Sequence, residues 1–353
     1  MMKKLFWLPV LFLLLAACGS GQNEDSKGED LTDGDWAPLE NKATVVIAED
    51  GAASGAGFYI AQEKGYFKEY NIDVKFTQFA NSDDMLPALA AGEVDIAGGV
   101  STASFFNAIA QGIDVKIIAD KGHYMDGNSY FSFVIRKDLQ DEIQDYEDLK
   151  GKRIAVSSRN AVDDYIFQRM LEHAGLTEED VEFILMSDFG NMLAAMGNGS
   201  IDAALQIEPL ITQGIEQGLH VRFGDATDFA PDAQIAMVLG SPEFVTEETD
   251  VSLRFMAAYL KGVRDYNDAF VKGEDKETII DIMTKHTALK DPAIWEKVAL
   301  TGLHPDGQMN VDDIQAQYKM YKQSGAILDQ FDFDRAVDTS LIERAVEVIG
   351  EYE

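Results

Sequence analysis

Residues Met85 to Val100 read MLPALAAGEVDIAGGV. This pattern predicts the end of an amphipathic helix, a Gly-Glu turn, a short buried strand and a Gly-Gly loop. The stretch from Met192 to Ala204, MLAAMGNGSIDAA, aligns on Met85 to Ala97 without a gap, and Asp95 matches Asp202. Two copies of one helix-turn-strand unit predict two similar lobes rather than a solenoid.

In each copy the predicted strand runs into a loop, GGVST at 98–102 and QIEP at 206–209. Open α/β sheets bind ligands at the carboxyl ends of their strands. Two such loops that face each other would therefore form a clamp for a small molecule. A repeated βαβ unit without any ligand is the alternative at this point.

The composition narrows the class of protein. The chain has 353 residues, of which 46% are hydrophobic, and a formal net charge of −33. It is long enough to split into two domains. A surface this acidic repels phosphate groups, which argues against a nucleic-acid partner, but it does not identify a partner.

The first residues have the pattern of a secretion signal. Lys3 and Lys4 precede an apolar run from Leu5 to Leu15, which is followed by Ala-Ala-Cys at 16–18. This resembles the bacterial lipobox, in which the cysteine receives a diacylglyceryl (palmitate) anchor; an ordinary signal peptide that happens to contain a cysteine is the alternative. Cys18 is the only cysteine, so we expect no intrachain disulfide and no cysteine-based metal site.

These patterns divide the chain into segments. The linker is acidic and poor in apolar residues, which predicts a flexible tether, although its Trp36 could dock on the fold. Two strand crossovers between the lobes form a hinge, and closure around a ligand is the expected motion. From Thr246 onward the pattern is helical and predicts a tail on the first lobe. The predicted segments are a signal peptide at 1–17, the linker at 18–41, the first lobe at 42–135, the second lobe at 136–235, and a return strand with the helical tail at 236–353.

The order of these segments resembles that of solute-binding proteins of bacterial ABC importers. More narrowly, EKGYFKEYNIDVKF at 63–76, ALAAGEVDIAGG at 88–99 and DLKGKRIAV at 148–156 resemble the NMT1/THI5-like group. The resemblance implies an α/β fold of the periplasmic-binding-protein type II, with two βαβ lobes joined by a two-strand hinge. It also implies a monomer on the extracytoplasmic face of the bacterial membrane that delivers a small-molecule solute to two ABC permease subunits.

The same resemblance implies which segments contact the ligand. They are the loops at 50–58, 99–102, 157–160 and 206–209. Helix-start loops among them would offer free N–H groups and the positive end of the helix dipole. The candidate ligand-binding residues are Asp50, Ser54, Phe58, Tyr59, Gly99, Ser101, Thr102, Tyr124, Ser157, Ser158, Arg159, Asn160, Gln206 and Glu208.

Two charged candidates point to different ligands. A carboxylate at Glu208 could accept N–H bonds from an amine-bearing ring, or could form a hinge salt bridge or a helix cap. Arg159 could bind a sulfonate, a nitrate or a carboxylate, or could be an ordinary surface arginine. The group includes binders of sulfonates, taurine, nitrate, thiamine-precursor pyrimidines and flavins, so both ligand classes stay open.

Aromatic candidates favour a flat ligand. Tyr59, Tyr124 and Tyr130 could stack on a ring, and so could Phe58, for which core packing is the equal alternative. The histidines have no metal-binding spacing, and His123 is more simply structural. We therefore expect neither a metal nor a cofactor.

Little in the sequence favours catalysis. No GxSxG, HExxH or Cys-His pair is present. The pyrimidine-phosphate synthase branch of the group depends on a cysteine-rich motif, and this chain has only Cys18. We expect a binding protein for a heteroaromatic solute, with a sulfonate-type anion as the alternative ligand and a lipid-anchored adhesin as the alternative class.

Overall fold

The computed structural model describes residues 36–79, 81–125, 131–231, 233–246, 249–328 and 332–353. These residues form two five-stranded sheets. The strands of the first sheet are β1 (Ala43–Glu49), β2 (Ile72–Gln78), β3 (Ile96–Gly99), β4 (Lys116–His123) and β10 (Gln234–Gly240), in the spatial order β2-β1-β3-β10-β4. The strands of the second sheet are β5 (Phe131–Arg136), β6 (Arg153–Val156), β7 (Glu182–Leu185), β8 (Ala203–Ile207) and β9 (His220–Asp225), in the order β7-β6-β8-β5-β9.

The two sheets have the same topology, and each forms a lobe with the helices packed on it. Each has three parallel strands, and the central strand of each sheet, β3 or β8, also pairs with an antiparallel strand of the hinge. The helices are α1 (Ala56–Lys64), α2 (Tyr66–Glu69), α3 (Ser82–Ala90), α4 (Ala103–Ala110), α5 (Val162–His173), α6 (Phe189–Asn198), α7 (Leu210–Glu216), α8 (Pro242–Thr246), α9 (Thr249–Asn267), α10 (Lys276–His286), α11 (Pro292–Trp295), α12 (Val311–Gln323) and α13 (Ser340–Ile349).

The internal repeat is confirmed by equivalent contacts in the two lobes. Asp95 Oδ2 accepts the N–H of Val46 at 2.7 Å, and Asp202 Oδ2 accepts the N–H of Arg153 at 3.0 Å. Each aspartate therefore ties the start of the central strand to the parallel strand beside it. The repeated aspartate is structural and is not a ligand contact.

The chain crosses between the sheets twice, from β4 to β5 and from β9 to β10. Strand β5 pairs within the second sheet, although the predicted boundary at 135/136 assigns most of it to the first lobe. Strand β10 pairs within the first sheet from Gln234 onward, one residue before the predicted lobe ends. The expected two-strand hinge is present, and the sheets place its edges a few residues earlier than the predicted divisions.

The helical tail does more than cover the first lobe. Helix α9 packs on α1, and α13 packs on α9 and β4, as expected for a tail on the first sheet. Helix α12, in contrast, packs on α4 of the first lobe and on α5 of the second. The tail therefore contacts both lobes through α12.

The described part of the linker is packed on the fold. Trp36 is 5% exposed within the apolar core of the first lobe, and the N–H of Leu39 donates to Tyr70 O at 3.1 Å. The folded part therefore includes residues 36–39, which the sequence assigns to a flexible tether. Cys18 and the predicted signal peptide lie outside the described residues, and none of the helices described is both long and apolar enough to span a bilayer.

Candidate ligand-binding cleft

A cavity of about 550 Å³ lies between the two sheets. Its walls are the loops after β1, β2 and β3 on one side and after β6, β7 and β8 on the other. These are the carboxyl ends of the parallel strands, as expected for an α/β binding site. Six of the candidate residues line it: Asp50, Thr102, Ser157, Ser158, Arg159 and Glu208.

Three of the aromatic candidates do not line the cleft and contact other parts of the protein. Phe58 is inaccessible and packs its ring on Tyr259, with centroids 4.7 Å apart. Tyr59 donates its hydroxyl hydrogen to Glu49 at 3.0 Å. Tyr124 OH donates to the carbonyl of Phe131 at 2.8 Å and accepts the N–H of Phe131 at 3.0 Å, so it ties the two ends of one hinge crossing together. Tyr130 lies outside the described residues.

The remaining candidates do not line the cleft. Ser54 accepts a hydrogen bond from Lys121 at 3.0 Å, Ser101 bonds to Gln317, and the side chain of Gln206 donates to the carbonyl of Phe189 at 3.0 Å. Gly99 is buried against Leu239. Asn160 accepts the N–H of Ala103 at 2.8 Å, which is a direct backbone contact between the lobes.

Glu208 forms a salt bridge and a helix cap, which is the alternative to a ligand contact that the sequence left open. Its carboxylate accepts the N–H of Thr212 at 3.0 Å and the hydroxyl of Thr212 at 3.1 Å, and it pairs with Arg222 at 2.9 Å. Burial raises its pKa above the ordinary value, against the lowering effects of Thr212 and Arg222. Glu208 thus caps α7 and forms a salt bridge, and these partners occupy its acceptor sites.

Arg159 also has partners within the protein. Its guanidinium pairs with Glu178, with one hydrogen bond of 3.0 Å, and lies 3.6 Å from Asp164. It also stacks 3.6 Å above the ring of Phe183. The single cation of the described cleft lining is therefore neutralised by carboxylates of its own lobe, which weakens it as an anion-binding group.

Three of the helices that start at the cleft, α3, α4 and α6, carry side-chain caps, whereas α5, whose first residue Val162 lines the cleft, has none. The side chain of Asn81 accepts the N–H of Asp84 at 3.0 Å in α3, and Asp188 accepts the N–H of Asn191 at 2.7 Å in α6. In α4, Thr102 accepts the N–H of Phe105 at 3.1 Å. Side chains thus satisfy donors that an anionic ligand would otherwise use.

Buried Asp163 holds the loop after β6. It accepts the N–H of Ser158 at 2.8 Å and the hydroxyl of Ser158 at 2.9 Å, and it also accepts the hydroxyl of Ser157. Burial raises its pKa above the usual range, and these hydrogen bonds oppose the rise. Asp163 therefore engages the hydroxyls of both serines and the N–H of Ser158.

The cleft also contains residues that the sequence did not single out. The rings of Phe131 and Phe189 have centroids 6.2 Å apart and planes inclined by 46°. Phe131 is only 3% exposed, so the apolar surface available to a flat ring comes mainly from the partly exposed Phe189, which Phe131 supports from behind. The other lining residues outside the candidate set are Gly51, Ala52, Asn81, Ser82, Asp83, Asp84, Val100, Val162, Asp163, Leu185, Ser187, Asp188, Gly190, Ile207, Pro209, Leu210 and Ala288.

The repeat contains a signal that would have found part of this set. Extending its alignment four residues towards the amino terminus matches Asn81 with Asp188. Both are helix N-caps at the cleft edge, at equivalent positions of the two lobes. Ser82, which follows Asn81, is the first residue of α3.

A second cavity, of about 890 Å³, lies between α5 and α12. Arg159 borders both cavities. No group of three or more histidine, cysteine or carboxylate side chains suited to a metal ion occurs among the residues that the structure describes.

Comparison with known proteins finds sequence similarity to a synthase and to a putative binding protein. It is 26% identical over 191 residues to the 4-amino-5-hydroxymethyl-2-methylpyrimidine phosphate synthase of Candida albicans, which covers 53% of this chain and 52% of that protein. The chain thus spans about half the length of this curated relative. It is 24% identical over 262 residues to the putative binding protein YtlA of Bacillus subtilis, which covers 69% of this chain and 76% of YtlA.

A solved structure supports the assignment of the fold. The ligand-binding component of an ABC-type import system from Staphylococcus aureus, with zinc bound, superposes with a TM-score of 0.70 at 17% identity. The match covers 86% of this chain and 99% of that one. The model of the family described as NMT1/THI5 like matches residues 53–268, more than half of the sequence. The chain therefore belongs to the NMT1/THI5-like family and has the fold of the solute-binding components of ABC importers.

Proposed function

We propose that this protein is the solute-binding component of an ABC importer and that it binds a small heteroaromatic solute in the cleft between its lobes. The observation that carries the proposal is the cleft itself, which equivalent loops of two hinged lobes form and which the partly exposed Phe189 lines. A volume of about 550 Å³ suits a ligand of the size of a pyrimidine derivative or a small flavin.

The alternative of a sulfonate, taurine or nitrate ligand has less support. An anion needs free positive charge or free N–H donors, because a desolvated negative group must be compensated. In the described lining Arg159 is paired with Glu178, and the starts of α3, α4 and α6 are capped. Arg159 and one donor at each of these three helix starts are thus engaged within the protein, whereas the start of α5 has no side-chain cap.

Binding rather than catalysis fits the sequence better. The synthase branch depends on a cysteine-rich motif, whereas this chain contains a single cysteine, Cys18.

The same cysteine supports a lipid anchor on the extracytoplasmic face of the membrane. Replacing Cys18 with serine should move the protein from the membrane fraction to the soluble fraction, and equal membrane retention of both forms would remove the anchor from the proposal.

The binding proposal is tested by calorimetry on the chain from residue 18 onward, carrying Cys18→Ser. The probes are 4-amino-5-hydroxymethyl-2-methylpyrimidine, riboflavin, taurine and nitrate. We expect binding of a ring compound that Phe189→Leu weakens, while Phe223→Leu, a matched change on β9 outside the cleft lining, leaves it intact. Binding of taurine or nitrate alone would establish the anion alternative, and binding of none would count against the importer component.

A further inference from the structure

The charge of the cleft differs from that of the rest of the chain. The whole sequence has 62 acidic and 29 basic residues, about two to one. The described cleft lining has six carboxylates, Asp50, Asp83, Asp84, Asp163, Asp188 and Glu208, and one cation, Arg159. The excess of negative charge is therefore larger in the cleft than the general acidity of the protein would produce.

These carboxylates fall into two groups by their hydrogen bonds. Asp163 and Glu208 are buried and engaged with the protein's own donors. Asp50 and Asp188 are exposed, and each uses one oxygen to accept a backbone N–H, from Ala52 at 3.0 Å and from Asn191 at 2.7 Å.

The remaining acceptors point to a donor on the ligand. The second oxygen of Asp50 and of Asp188 has no hydrogen-bond partner within the described chain, and Asp83 has none at either oxygen. Asp50 and Asp83 follow strands of the first sheet, and Asp188 follows a strand of the second. The cavity thus has free carboxylate oxygens on both of its walls.

We propose that the solute is positively charged: a flat ring that carries an ammonium, amidinium or ring-nitrogen cation. The ring lies against Phe189, and Asp50 and Asp83 from one lobe and Asp188 from the other neutralise the charge. This inference rests on the proposed function, since it specifies the class of solute that the same cleft binds. A cation–π contribution from Phe189 acts in the same direction.

The same arrangement links charge to closure of the lobes. Carboxylates on both walls repel each other across an empty cleft, and a low-dielectric cleft lined by one sign of charge concentrates ions of the opposite sign. A bound cation removes this repulsion and adds attraction to each wall. A neutral ring would leave the repulsion in place.

The test compares three ligands of matched shape, benzamidine, benzamide and benzoate, with the pyrimidine and riboflavin probes included in the same calorimetric series. We expect benzamidine to bind at least tenfold more tightly than benzamide, because a hydrogen bond to a charged group is worth about one such factor, and benzoate not to bind. Asp188→Asn should weaken benzamidine about tenfold, on the same grounds. Asp281→Asn, at an exposed position on α10 outside the cleft, should have no effect.

The outcomes separate this inference from the proposed function. If benzamide binds as well as benzamidine, or if Asp188→Asn leaves the ratio unchanged, the solute is not selected by positive charge. Binding of a neutral pyrimidine or of riboflavin in that case would leave the proposed function standing without this inference. Absence of binding by every probe would overturn both. Raising the salt concentration should weaken benzamidine more than benzamide, because exposed carboxylates are screened.

Discussion

The ion pair between Glu49 and Lys121 predicts how stability depends on pH. Both side chains are almost inaccessible, and Glu49 Oε1 lies 3.3 Å from Lys121 Nζ. Tyr59 donates a hydrogen bond of 3.0 Å to the other oxygen of Glu49. Burial nevertheless raises the pKa of Glu49 from 4.5 to about 7, since the cost of desolvation exceeds the attraction of Lys121.

The sign of the effect follows from the direction of this shift. The pKa is higher in the folded chain than in the unfolded chain, so the folded state binds the proton more tightly. The resulting stabilisation is fully present below about pH 4.5 and is lost as the pH rises through about 7. A shift of this size corresponds to a loss of about 3 kcal/mol in the free energy of unfolding between these limits.

The perturbation is a pair of variants, Lys121→Met and the doubly neutral Glu49→Gln with Lys121→Met. In Lys121→Met the carboxyl loses its counter-charge and stays protonated at pH 8. In the wild type, ionisation of Glu49 stabilises the folded state at pH 8 by about 1.4 kcal/mol, because pH 8 is about one unit above its pKa. Lys121→Met loses this contribution. The substitution should therefore lower the free energy of unfolding by about 1.4 kcal/mol more at pH 8 than at pH 5. The double variant should lose the pH dependence that Glu49 contributes.

The assay is urea unfolding at pH 5, 6.5 and 8 for all three forms, which share every other titrating group. Between pH 5 and pH 8 the wild type should lose about 2.5 kcal/mol more than the double variant, because pH 5 already lies above the unfolded pKa of 4.5. The reasoning is refuted if the wild type and the double variant change in parallel, or if Lys121→Met costs the same at pH 5 as at pH 8.

Two further predictions concern the repeat and the packing around this pair. A Cβ on Gly98 would overlap Glu49 Oε1, so Gly98→Ala should destabilise by about 3 kcal/mol. The control is Gly197→Ala within α6, where a Cβ has ordinary van der Waals space; it should be neutral or stabilise by up to about 1 kcal/mol. Thermal unfolding of both variants measures the difference, and a larger loss of stability in Gly197→Ala than in Gly98→Ala would contradict the prediction. Asp202→Ala should cost about 2–3 kcal/mol, because Asp202 accepts both the backbone N–H and the guanidinium of Arg153 at 2.6–3.0 Å; a loss below about 0.5 kcal/mol in urea unfolding would mean that this contact does not hold β6 to β8.

The repeat predicted the architecture because its residues are constrained by the backbone. Gly92 and Gly199 end their helices with φ of +69° and +74°, a conformation that favours glycine. Asp95 and Asp202 bind backbone N–H groups at equivalent positions. Such requirements depend on local geometry, so they leave a pattern that can be recognised in one sequence.

The individual ligand contacts were less accessible to prediction. Helix α1 is buried on every side from Ala56 to Ala61, because α9 covers the face that would otherwise point outward. The position of Phe58 on its helix therefore could not distinguish core from cleft. Glu208 likewise has partners, Thr212 and Arg222, that become neighbours only after α7 and β9 have folded.

Strand β9 was missed for a related reason. Its sequence, HVRFGD, has only two strongly apolar residues, and it forms an edge of the second sheet by pairing with β5. Edge strands depend on their partner more than on their own apolar pattern. The sequence therefore predicted no strand at 220–225, and with it missed the arginine that neutralises Glu208.

The central claim is that the cleft between the two lobes binds the solute, and hydrogen exchange tests it most directly. With the tightest ring compound of the calorimetric series bound, amides of loops on both walls, at 50–52, 81–84 and 187–190, should exchange more slowly than in the free protein. Protection confined to the second cavity, between α5 and α12, with unchanged exchange in these three loops, would contradict binding in the cleft between the lobes.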